Sequence, residues 1–305
     1  MRRRPVVAIA LAAVLAAPLA SQPTGRAQEV GRIVWQEEAA HFGGFSGLEV
    51  GPDGVNFTAL SDRGYYVEGR FLRDAEGGIT GIAAGALRPL VPPRPGAWPP
   101  YLIDSEGLAM APGGPAFVSF EGLQKVFRLK DMSAPAHPLP QHRDFPGMIG
   151  NASLEALAIG PDGALYTLPE RSGRKDRPFP LYRFRDGRWS RLGQVARRGS
   201  FLPVGADIGP DGRFYLLERQ FSLIRGFASR VRRFDLDETG LSNEQVLFES
   251  GAGRFYDLEG LAVWRDGDGR IRLTMISDDN FNFLQLTEVV EYVVRDGLAS
   301  PGESG

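Results

Sequence analysis

Three acidic openings recur along the chain, Asp104-Ser105-Glu106, Ser153-Leu154-Glu155 and Asp257-Leu258-Glu259, each heading a short apolar run. Asp207 stands near the corresponding place in a further run. Carboxylates that converge repel one another, and each keeps its proton to higher pH unless a cation sits among them. A bound divalent metal is the economical resolution. Oxygen donors in a chain without cysteine select a hard ion, Ca²⁺ ahead of Mg²⁺. The expected metal ligands are therefore Asp104, Glu106, Glu155, Asp257, Glu259 and Asp278. The competing structural use is that each glutamate caps backbone N–H groups or pairs with a nearby arginine.

A second acidic series closes the run that follows each opening: Asp62, Glu121, Glu170, Glu218, and Asp278 with Asp279. Three of these directly precede arginine, as Asp62-Arg63, Glu170-Arg171 and Glu218-Arg219. Neighbours on a strand face opposite sides, so only one member of each pair can face a common site. Arg63, Arg171 and Arg219 are the expected holders of an anionic substrate group such as phosphate. Ion pairs between sheets are the alternative. Asp278-Asp279-Asn280 sets three oxygen side chains in succession, more than packing asks for. Glu155, Glu259 and Asp279 are the expected catalytic carboxylates, as metal ligands or activators of water. His41 lies ahead of the first run, and Tyr65, Tyr66 and Tyr256 beside acidic positions serve as pocket wall or core. The absence of G-x-S-x-G disfavours a serine hydrolase of the nucleophile-elbow type.

The elements that must carry these residues are hairpins. SLEALAIGPDGALYTLPER (153–171) reads as an apolar strand, a Gly-Pro-Asp-Gly turn and a second alternating strand. Related copies begin at Phe45, Asp104, Val204 and Asp257. Aligned on the first strand, Ser46, Glu106, Glu155, Val204 and Glu259 fall in register, with successive spacings of 60, 49, 49 and 55 residues. A period near 50 with hairpin content predicts an all-β propeller of four-stranded antiparallel blades. The repeat count gives five blades, with six if the long interval 62–104 hides a degenerate unit. Third and fourth strands are expected over 69–80 and 86–91, 124–130 and 137–139, 180–185 and 189–195, and 229–236 and 244–249. The last unit has a third strand over 286–295 and no fourth. Arg32-Ile33-Val34-Trp35-Gln36 is an orphan strand that can fill the gap, closing the ring by pairing the two ends of the chain.

With 305 residues, 39 Gly, 23 Pro and 43% hydrophobic content, the chain suits one domain of many short strands. Net charge −2 and dispersed Lys and Arg offer no basic field for nucleic acid. Arg2–Arg4 ahead of an apolar run from Val6 to Ala20 reads as an export signal over residues 1–28. That run falls short of the ~20 residues of a membrane helix, so no stable membrane insertion is expected. The arginines hint at twin-arginine export, the rest of that motif is poor, and general secretion fits equally. A periplasmic or secreted monomer is expected, with one propeller domain over 29–298 and a disordered tail over 299–305.

FSGLEVGPDG…ALSDRG, DSEGLAM, SFEG, LEALAIGPDGALYTLPER, PDGRFYLLER and DLEGLAV…ISDDNFN resemble the phytase-like domain family known as esterase-like activity of phytase. The resemblance covers essentially the whole chain after the export signal. It implies an exported bacterial β-propeller that hydrolyses phosphate or carboxylate esters and, by analogy with alkaline propeller phytases, calcium in an acidic channel. The leading expectation is a calcium-dependent phosphomonoesterase acting on a small ester or phosphate substrate at that channel mouth. A lactonase or carboxylesterase of the calcium-propeller type would share the acids but not need the arginines. A non-catalytic propeller binding a ligand or envelope partner through its loops is the third reading.

Overall fold

The computed structural model describes residues 26–99, 102–148 and 154–295, and in it the repeats form five antiparallel sheets. β1 (Ala27–Val34) belongs to the last of them. The first sheet takes β2 (Phe45–Val50), β3 (Asn56–Ser61), β4 (Tyr65–Arg73) and β5 (Ile79–Ala84), with the two-residue β6 (Arg88–Pro89) beside β4. The second takes β7 (Ser105–Met110), β8 (Ala116–Phe120), β9 (Lys125–Leu129) and β10 (His137–Pro138). The third takes β11 (Leu154–Ile159), β12 (Leu165–Pro169), β13 (Phe179–Arg185) and β14 (Arg188–Val195). The fourth takes β15 (Leu202–Ile208), β16 (Phe214–Ser222), β17 (Gly226–Asp237) and β18 (Gly240–Glu249). The fifth combines β19 (Asp257–Arg265), β20 (Ile271–Asp278) and β21 (Glu288–Val294) with β1.

The inner strands β2, β7, β11, β15 and β19 pack against one another in a closed circle, so this is a five-bladed propeller. The interval 62–104 supplies the outer strands of the first blade rather than a sixth. There the Glu-Gly-Gly turn separates β4 from β5, and the expected strand over 86–91 shrinks to β6. β1 pairs antiparallel with β21 from Ala27 opposite Val294 to Val34 opposite Glu288, which closes the ring as expected. The expected export signal falls mostly on residues 1–25, and the tail 299–305 entirely, outside the described residues.

Turn chemistry fixes the hairpins. In the Gly-Pro-Asp-Gly turns the aspartate accepts from the backbone two residues on, Asp53 from Val55 N at 2.9 Å and Asp162 from Ala164 N at 3.1 Å. The following glycines, Gly54 and Gly163, sit at φ 67° and 79°, where a side chain would be strained. Alternation then turns one face of each blade toward its neighbour. Five apolar clusters result, one at each blade–blade interface; Tyr215, Leu217 and Phe248 of the fourth blade meet Leu273, Met275 and Tyr292 of the fifth in one of them. No helix among the described residues is long and apolar enough to cross a membrane.

Candidate active site at the channel mouth

Every inner strand carries the same irregularity near its start. Pairing with the second strand slips between Phe45 and Gly47, Ser105 and Leu108, Leu154 and Ala156, Pro203 and Gly205, and Leu258 and Gly260. The residues released are Ser46, Glu106, Glu155, Val204 and Glu259, the positions that align across the repeats. A bulge re-aims the side chain it frees. Here it aims them at the axis: Ser46, Glu155, Val204 and Glu259 come from four different blades to line one cavity of about 10 Å³, room for about one water molecule. The next residue is glycine in four blades. A Cβ on Gly107 would stand 2.6 Å from Glu155 O, and one on Gly205 would collide with Glu259 O. These glycines let the inner strands approach closely enough to bring the carboxylates together.

The second ring follows from the same register. The residues paired with the last position before each bulge are Ser61, Phe120, Pro169, Glu218 and Ser277. One step further along stand Asp62, Glu121, Glu170, Arg219 and Asp278. The fourth blade therefore breaks the series, because its Glu-Arg pair arrives one residue sooner after the turn glycine than that of the third, and a one-residue slip exchanges faces. Glu218, expected in the acidic ring, points instead into its own blade. It accepts from Arg230 Nε and Arg232 Nε, each at 2.8 Å, and is fully buried.

Arg219 takes its place at the mouth. Its Nη1 contacts Asp257 and lies 2.8 Å from Glu259 Oε1, and its Nη2 lies 3.4 Å from Glu170 Oε1. Burial works against its charge, but Glu259 and Asp257 more than reverse this and raise its pKa. Asp257, Glu259 and Asp278 place ligand oxygens within 4.8 Å of one another, and so do Asp104, Glu106 and Glu121. Asp257 is 1% exposed, and its Oδ1 is buried without a hydrogen-bond partner among the described residues. Among the described residues neither Asp104 nor Glu106 has a side-chain hydrogen bond or ion pair. Burial, reinforced by Glu155 and Glu259, holds Glu106 well above the usual carboxylate range. Burial with Glu170 and Glu121 does the same to Glu155. Burial raises Glu259 too, partly opposed by Arg219, and pushes Asp278 up to about 7.

The other expected residues are used differently. Asp279 does not join either trio: its Oδ1 accepts from Gly44 N and Phe281 N, both at 3.0 Å, and its Oδ2 from Thr287 Oγ1 at 3.2 Å, which ties the β20–β21 loop to the start of β2. Asp207 lies three residues beyond the bulge at Val204, where it accepts from Val263 N at 2.6 Å, away from the mouth. Arg171, 56% exposed, pairs with Glu170 at 3.1 Å. Arg63 is exposed and stacks on Phe281, 3.2 Å from its ring centroid. His41 is exposed and stacks on Tyr65, while Tyr66 is buried in the core between the first two blades.

The family model described as esterase-like activity of phytase, or phytase-like, matches residues 40–281, a span containing all five bulges and both rings. The chain belongs to the phytase-like family. No curated protein sequence matches it. Among solved structures, the catalytic domain of a Coprinopsis cinerea GH62 α-L-arabinofuranosidase shares the fold at 12% identity and a TM-score of 0.57, over 91% of this chain and 100% of that one. A Xanthomonas campestris gluconolactonase (15% identity, TM-score 0.45, 81% of this chain and 71% of that one) is a more distant likeness. So is the calcium-binding regucalcin of Agrobacterium tumefaciens (13% identity, TM-score 0.45, 87% and 95%).

Calcium fits the donor set of this phytase-like chain. Oxygens that ligate one Ca²⁺ at 2.3–2.6 Å lie no more than about 5 Å apart, the spacing found in both trios. The Asp104 trio has two carboxylates with no counter-charge among the described residues, whereas Arg219 already serves the Asp257 trio, in which Asp257 Oδ1 is buried with no partner among the described residues.

Proposed function

We propose that this phytase-like chain is an exported, calcium-dependent ester hydrolase that acts on phosphomonoesters at the acidic channel mouth. The observation that carries the reading is the convergence of two carboxylate trios around Glu155, with Asp104 and Glu106 lacking a counter-ion among the described residues. Calcium bound there would offset phosphate charge and make an attacking water more acidic. The remaining work falls to side chains. Glu155, whose pKa burial and Glu170 raise, gives a proton to the leaving oxygen. Glu259, oriented by Arg219, accepts the proton of the attacking water. Arg63, which stacks on Phe281 and has no ion pair among the described residues, meets the anionic group of the substrate. Export rests on Arg2–Arg4 and the apolar run that follows.

The test is hydrolysis of p-nitrophenyl phosphate and p-nitrophenyl acetate by the purified protein, with calcium and again after EDTA. Calcium-dependent release of p-nitrophenol from the phosphate supports the proposal. A second reading, carboxylester or lactone hydrolysis, is favoured by the pairing of Arg171 and Arg219 to Glu170, Asp257 and Glu259, which leaves fewer cations for a phosphate. Turnover of the acetate alone would select it. Folded protein that turns over neither ester would overturn both and leave a ligand-binding propeller.

A further inference from the structure

A second concavity opens between the third and fourth blades. Arg171, Arg174, Lys175 and Arg197, with Ser172 and Ser200, line a cavity of about 520 Å³. Its place follows from the topology. Residues 170–178 join β12 to β13 and 196–201 join β14 to β15, and both loops lie at the blade ends where Glu170 and Arg219 stand. No carboxylate appears among the described residues that line it.

Two of its cations are already engaged, Arg171 with Glu170 at 3.1 Å and Arg174 with Asp176 at 2.9 Å. The other two have no hydrogen bond or ion pair among the described residues. Lys175 is exposed. Arg197 is partly buried, with its guanidinium carbon 4.4 Å from the Phe179 ring centroid and its Nε shielded from water with no acceptor. Its neighbour Arg198 turns the other way and pairs with Glu244 at 3.0 Å. A shielded donor without an acceptor costs free energy, and a stacked guanidinium is a planar fork suited to an oxyanion. The cavity falls within the ~300–1,000 Å³ range of small-molecule sites, larger than a lone ion needs.

We propose that this pocket binds a small molecule through a tetrahedral oxyanion such as phosphate, with Arg197 as its principal ligand and Lys175 and the Ser200 hydroxyl in support, the Ser172 hydroxyl being donated to Arg177 O at 2.6 Å. Binding here does not require the mouth to be hydrolytic. The oxyanion is either the free ion or the anionic group of an organic ester.

Isothermal titration of the EDTA-treated full chain with inorganic phosphate and with phenylphosphonate tests this. Arg197→Gln is expected to weaken binding of both at least ten-fold, Arg197→Lys to retain part of it, and Arg128→Gln, exposed on the second blade, to leave it unchanged. Tighter binding of phenylphosphonate than of phosphate identifies an organic ligand; the reverse identifies the free ion. Either order, with the Arg197 effect, supports the site. No binding by the parent chain, or binding that Glu106→Gln abolishes and Arg197→Gln leaves intact, overturns it. Because Arg197 is not fully buried, circular dichroism of the variants should match the parent, and esterase activity is not the readout.

Discussion

Arg219 Nη1 lies 2.8 Å from Glu259 Oε1, so the fourth blade puts a cation at a ring position where the other four put carboxylates. One guanidinium thereby compensates Glu259, Asp257 and Glu170 together. Its replacement by glutamine leaves buried carboxylates facing one another. Arg219→Gln is expected to destabilise the calcium-free protein toward the lower end of ~3–5 kcal/mol, because the arginine keeps 22% of its side-chain surface exposed. Thermal unfolding in EDTA measures this. An unchanged Tm would mean that the guanidinium does not hold the ring together.

The same crowding sets a pH dependence. Burial, then like charge, holds Asp278 at about 7 and Asp62 at about 6, against about 3.9 in an unfolded chain. Between those values the folded protein keeps protons that the unfolded chain has lost, so stability falls as pH rises. Their contribution is whole below about pH 4 and gone above about pH 7. Melts from pH 4.5 to 8 should decline in EDTA and flatten with calcium, since a bound cation takes over from the protons. A calcium-free curve that climbs over this range would contradict the burial of these carboxylates.

Glu106 has no side-chain partner among the described residues and faces Glu155 and Glu259. Glu106→Gln removes a repelling charge and keeps the shape, so the calcium-free variant should melt at or above the parent temperature. The stabilisation given by added calcium should shrink and ester turnover should fall at least 100-fold. A variant that loses stability in EDTA yet keeps its calcium response would place the cation elsewhere.

Gly205→Ala tests the bulges. The added methyl would meet Glu259 O, whose backbone belongs to the neighbouring inner strand. Overpacking of this kind typically costs ~1–3 kcal/mol, and denaturant unfolding should show it. The third blade carries Ala156 at the equivalent place, so Ala156→Gly should have a far smaller effect.

The blades were legible because alternation and Asp-Gly turns are local signals, and the ring closure because one strand lacked a partner at each end of the chain. Glu106, Glu155 and Glu259 were legible as a set through the repeat register. What the sequence concealed turns on a single residue. The Glu-Arg pairs of the third and fourth blades look equivalent, yet counted from Gly163 and Gly212 they differ by one, so Glu170 and Arg219 face the mouth while Glu218 does not. The bulges add the same kind of offset, marked only by the glycine that follows. Asp279 looked like a ligand from its neighbours' chemistry, but the loop it closes through Gly44 is a long-range contact that no local pattern announces.

The pairing of β1 with β21 has a consequence for how the protein comes to be folded. Arg32 and Glu288, 256 positions apart, bond across the seam at 2.6 Å, and Trp35 enters the core between the fifth and first blades. The final blade can therefore form only after nearly all of the chain is available. Joining segments so remote makes folding slow and late-committing. A growing chain would remain an open arc with two unpaired edges, and a transport route that threads unfolded polypeptide would meet no finished ring to unmake.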